Sequence, residues 1–151
     1  MSWVFWREFF RRRDPRYLVV FVCCLSCTEE IGRISFSKTQ PQDYTVNLKE
    51  GDLDFWVALD VEFENRQKLG YRIEAYQNGR LVDTQVCDAF DISTKMMSVE
   101  TSFSGKVSKS YDGKMRCGMD ILDPGAFKLA VTPLMEPKPL KLEKFDLVLK
   151  Q

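Results

Sequence analysis

The chain has 151 residues, with 22 Lys and Arg balanced by 22 Asp and Glu, and it contains no histidine. That length allows one domain with a sandwich-sized core, while the zero net charge leaves no dense basic footprint of the kind nucleic acid binding requires. Without histidine the chain lacks the usual general base, the usual partner of a nucleophile and the commonest transition-metal ligand. The composition therefore predicts no nucleic acid partner, no cofactor and no enzyme activity.

The balance of charge hides a split. Residues 1–16 hold five Lys and Arg against two Asp and Glu, which leaves 17 against 20 in the remainder, a slightly acidic body. Four of those early cations, Arg11, Arg12, Arg13 and Arg16, stand just ahead of an apolar run from Tyr17 to Leu25. A cationic segment followed by a short apolar one is the order of an export signal. The run is nine residues long, well short of the ~20 that a membrane-spanning helix needs, and Thr28, Glu29 and Glu30 follow at once. Residues 1–26 are read as this signal-like segment and 27–42 as a tether.

The junction Leu25-Ser26-Cys27 resembles the lipobox of bacterial lipoproteins, where a small residue precedes the cysteine that carries the acyl chains. The resemblance covers only this junction. It implies lipidation at Cys27, a lipid bilayer as partner, and a place in the cell envelope facing the periplasm or the exterior. An ordinary cleaved signal peptide is the competing reading.

Beyond Cys27 two cysteines remain, Cys87 and Cys117, the number for one disulfide in an oxidising compartment. Their positions carry one tension. Cys117 falls on the inward side of its strand, whereas Cys87 alternates with Asp83 and Gln85 onto the outward side, so a bulge or strand end near Val86 is needed to turn it in.

Residues 28–42 are polar, with a short strand at 31–36, and Pro41 breaks the chain before the domain proper, 43–151. The clearest strand runs from Leu53 to Glu64. Leu53, Phe55, Val57, Leu59, Val61 and Phe63 occupy one face, and Asp54, Asp60, Glu62 and Glu64 the other. Alternation with period two is incompatible with a helical face, so this is a central strand with one side buried.

Tyr71, Ile73 and Ala75 lead to Asn78-Gly79, which fits a type I′ hairpin turn and pairs Ala75 with Val82, Ile73 with Thr84 and Tyr71 with Val86. Val99, Thr101 and Phe103 predict another strand. Met115, Cys117, Met119 and Ile121 follow a turn at Asp112-Gly113, Phe127, Leu129 and Val131 follow Asp123-Pro124-Gly125, and Pro133, Pro137 and Pro139 mark a crossing loop before Phe145, Leu147 and Leu149. Seven or eight strands between turns, with no helical stretch, define an all-β antiparallel β-sandwich. Ig-like and jelly-roll topologies both remain open.

Trp56 breaks the pattern. It stands on the polar face of the central strand, with Tyr76 in the corresponding place on the neighbouring hairpin, and exposed aromatics on a sheet can stack on a sugar or a partner protein; a cover over Trp56 is the simpler alternative. The acidic residues Asp83, Asp88, Asp91, Asp120 and Asp123 flank turns without the alternate spacing of a calcium loop. The functional expectation is a membrane-anchored, non-catalytic binding or assembly module with an envelope protein or a glycan as partner. A carbohydrate-binding sandwich comes second and a carboxylate hydrolase third.

Overall fold

The structure, a computed structural model, describes residues 28–37 and 39–151. The described residues form nine strands in order: β1 (Glu30–Ser35), β2 (Gln42–Leu48), β3 (Gly51–Phe63), β4 (Lys68–Gln77), β5 (Arg80–Asp88), β6 (Ile92–Phe103), β7 (Lys106–Ile121), β8 (Gly125–Glu136) and β9 (Lys141–Lys150). They form two antiparallel sheets, β1-β9-β3-β7-β6 and β2-β8-β4-β5.

The connectivity selects between the two open topologies. β1 pairs with β9, β2 with β8, β3 with β7 and β4 with β5, so the chain is a nested hairpin. Rolling that hairpin up brings β9 against β3 and β8 against β4. This is a jelly roll, with β6 added at one edge through its hairpin with β7.

Alternation in the central strand survives in three dimensions. Leu53, Phe55, Val57, Leu59 and Val61 are buried, and β3 is the middle strand of its sheet. Phe145, Leu147 and Leu149 of β9 lie beside them, facing Tyr71, Ile73 and Ala75 of β4 and Phe127, Leu129 and Val131 of β8. Tyr71 stacks on Phe145 with centroids 4.5 Å apart, and Phe36 closes the aromatic group at 5.6 Å from Tyr71. Alternate side chains from both sheets thus fill the interior, as the pleat dictates.

Several sequence expectations change. The short strand expected at 31–36 forms as β1, but the stretch around it is more than a tether, because β1 joins a sheet, Ile34 and Phe36 enter the core and Ile31 packs against it. Asp112-Gly113 lies inside β7 and is not a turn. The chain reverses instead at Ser104-Gly105, both left-handed at φ 49° and 79°. Position 113 is crowded, because a Cβ there would stand 2.8 Å from Cγ2 of Ile92 and would force that side chain to shift. Pro133 lies within β8, two residues past Val131, the last β8 residue paired with β2, where a missing N–H leaves no ladder incomplete on that side.

The β4-β5 hairpin turns at Asn78-Gly79 with φ 52° and 75°, as its sequence requires. Its register then slips. A bulge between Ala75 and Tyr76 in the pairing places Ala75 opposite Asp83, Ile73 opposite Gln85 and Tyr71 opposite Cys87. The extra residue turns Val82 and Val86 out to solvent, 50% and 63% exposed, and brings Cys87 to 2%. The bulge needed to turn Cys87 inward therefore exists, five residues from its own position rather than beside it.

Candidate functional site

Cys87 of β5 and Cys117 of β7 meet at disulfide distance, with S–S 2.06 Å and Cα–Cα 5.7 Å, and join the edge of one sheet to the other. Cys27 lies outside the described residues.

The outer face of the five-stranded sheet carries the Trp56 feature. Trp56 stands opposite Val148 on β9 and Lys114 on β7, and with Ala58 and Val148 it forms a small apolar cluster separate from the core. The residue is only 9% exposed. Lys150 lays its ammonium 3.9 Å from the ring centroid, a cation–π contact made from the adjacent strand. The indole Nε1 is buried and has no hydrogen-bond partner among the described residues.

Ion pairs surround this cluster. Lys114 Nζ donates to Asp54 Oδ2 at 2.7 Å, and Arg33 donates to Asp146 Oδ2 at 3.1 Å and to Glu30 Oε2 at 3.0 Å. The hydrogen bond from Arg33 holds the Glu30 carboxyl below its ordinary value, and the same bond raises the guanidinium of Arg33. A flat ligand could stack on Trp56 only by displacing Lys150.

Tyr76 is not part of that face. It belongs to the four-stranded sheet, whose outer surface points the opposite way, and there it lines a shallow depression of about 420 Å³ with Thr45, Asn78, Gly79 and Lys128. Its hydroxyl donates to Glu74 at 2.8 Å, the first cause of its raised pKa. Two strands adjacent in sequence were read as one surface, but the roll assigns β3 and β4 to different sheets.

The acidic turn residues act locally. Asp88 Oδ1 accepts the backbone N–H of Phe90 at 2.8 Å, Asp83 accepts those of Thr84 and the Gln85 side chain, and Asp91 pairs with Arg116 at 3.0 Å. Among the described residues no group of three or more Cys, Asp or Glu is arranged to hold a metal ion.

The feature that sequence reading passed over is β6. It forms the edge of its sheet, and eleven of its twelve residues are exposed. Met96, Val99, Thr101 and Phe103 share the outer face, and Met96, Met97, Val99 and Phe103 are 52%, 85%, 62% and 85% exposed. Apolar side chains at alternate positions were read as a strand, which is right, but the same alternation suits a core face and an uncovered one equally.

Comparison of the chain with protein-family models, with curated proteins and with solved structures finds no match.

Proposed function

We propose that this protein is an exported binding or assembly module, held to a membrane by acyl chains on Cys27 and working through the surface of its sandwich rather than by catalysis. The observation that carries the reading is the Cys87–Cys117 pair, because a disulfide that ties two sheets together persists in an oxidising compartment and not in a reducing cytosol. The cationic and apolar order of Arg11–Cys27 supplies the route there.

The fold agrees with an anchor at that end. Glu29 and Gln151 exchange backbone hydrogen bonds at 3.0 Å, so the described chain begins and ends at one pole. A lipid on Cys27 would hold this pole at the bilayer. Loops 64–67, 104–105 and 137–140 lie at the other end of the five-stranded sheet and would face away. The exposed apolar edge of β6 supports the binding half of the proposal, since Met96, Val99 and Phe103 are neighbours on one open face, and contiguous uncovered apolar surface marks interaction sites.

Metabolic labelling with palmitate tests the anchor. Label should enter the full chain and be lost in Cys27→Ala; label retained by that variant refutes lipidation at Cys27, and an unlabelled soluble product assigns the segment to ordinary signal cleavage.

A further inference from the structure

We propose that the free edge of β6 pairs antiparallel with β6 of a second copy, about a two-fold axis at the second of its two bulges, between Met96 and Val99, to make one continuous ten-stranded sheet. This deepens the assembly reading above, and because the two-fold axis reverses the strand direction it sets the Glu29–Gln151 poles of the two copies at opposite ends of the dimer, so that both are not seated on one bilayer by that pole. Its premise is an edge strand of twelve residues that has no partner along its far side among the described residues, which is a template for strand addition.

The occupant follows from the sequence of the strand. Around its centre β6 reads Thr94-Lys95-Met96, then Met97-Ser98, then Val99-Glu100-Thr101. In an antiparallel self-pairing centred on Met97-Ser98, Lys95 lies opposite Glu100 of the second copy, Met96 opposite its Val99 and Thr94 opposite its Thr101. Each match occurs twice by symmetry. Opposite charges, apolar pairs and paired threonines are the cross-strand combinations that stabilise a ladder, and an isologous contact of this kind closes at two copies.

A regular strand could not use this register, because residues paired across a ladder must point to the same side of the sheet, whereas Met96 and Val99 are three apart and would point to opposite sides. The bulge removes the conflict. Met96 is paired with Asp112 and Val99 with Ser110, so β6 spends three steps where β7 spends two, and Met97 takes the left-handed conformation at φ 47°. Thr94, Met96, Val99 and Thr101 consequently share the outer face, and Lys95 and Glu100 share the inner one. There Lys95 lies over the Tyr111 ring at 5.1 Å and Glu100 meets Lys109 at 3.2 Å. A bulge in an edge strand ordinarily blunts it; this one sits between the two arms and aligns their faces.

The full chain, solubilised and taken through a concentration series by sedimentation, should dimerise. Lys95→Glu and Glu100→Lys each place like charges opposite one another at two points, and each should weaken the dimer by about tenfold, while the double swap K95E/E100K should dimerise more tightly than either single swap. Because Lys95 and Glu100 of one strand stand roughly 15 Å apart, a zero-length carbodiimide bond between them in the dimer-sized product can only join two chains. All the substitutions are at exposed positions, and unchanged thermal unfolding of the monomer confirms that each variant folds. A monomer at every concentration, single swaps that leave the dimer untouched, a double swap that dimerises no more tightly than the single swaps, or a dimer whose linkages omit Lys95–Glu100 overturns the proposal; the last would place association elsewhere, including residues 1–27. None of these outcomes bears on palmitate labelling.

Discussion

Replacing Tyr71 by Phe should make the protein more stable, which is the reverse of what removing a polar group from a core residue usually suggests. Tyr71 is fully buried, stacked on Phe145 and tilted against Phe36, and its hydroxyl has no hydrogen-bond partner among the described residues. A buried hydroxyl left unsatisfied costs about 1–3 kcal/mol. Removing the oxygen keeps the ring and its apolar burial, and forfeits only a few dispersion contacts of ~0.1–0.2 kcal/mol each. The net expectation is a gain of about 1 kcal/mol, equivalent to roughly 3–5 °C in Tm for a domain of this size. Tyr111 is the internal control. Its hydroxyl donates to the carbonyl of Ala89 at 2.6 Å in a buried position, so Tyr111→Phe strands that carbonyl and should cost about 1–3 kcal/mol. Equilibrium urea unfolding of both variants at neutral pH, with m unchanged, measures the pair. A loss of 1 kcal/mol or more in Tyr71→Phe would refute the reasoning, because it would mean that the hydroxyl has a partner.

The same two phenols govern stability in alkali. Burial raises both well above the ordinary tyrosine value, and since the unfolded groups ionise near pH 10, their contribution is complete below that pH and is lost as pH climbs through and beyond it, by at most ~1.4 kcal/mol per group per pH unit. Tyr71→Phe should flatten that decline in base-induced unfolding followed by circular dichroism. Reduction of the Cys87–Cys117 bridge, whose ends are 30 residues apart, should lower stability by about 3.6 kcal/mol on the chain-entropy model, read as a fall in the urea midpoint between oxidised and reduced protein, with the reduced sandwich still folded. Gly70→Ala should destabilise by about 1–3 kcal/mol, because its Cβ would overlap the backbone carbonyl of Cys87 and force β5 away from β4; a melting temperature equal to wild type would contradict that fit. Lys150→Ala should uncover the Trp56 ring and shift its fluorescence to longer wavelength, and an unmoved emission maximum would show that Lys150 is not its cover.

Local chemistry was sufficient for much of this molecule. Six apolar residues at alternate positions from Leu53 to Phe63 identify a strand with one buried side, since no helix can place them together, and Asn78-Gly79 identifies a hairpin turn, since both residues accept positive φ. Two cysteines in the body and no histidine likewise need no coordinates to be counted. What the sequence left open depends on which strands become neighbours. A single inserted residue at Val82 moves every later side chain of β5 to the other face, and a bulge leaves no mark in composition. The rolled hairpin alone puts Trp56 and Tyr76 on opposite outer surfaces, makes β1 part of a sheet, and leaves β6 at an edge. Period-two alternation reports that a strand has two unlike faces, whereas whether the apolar face is covered is a property of the neighbouring elements, which is why Val57 and Val99 read alike in the sequence and end as core and open surface.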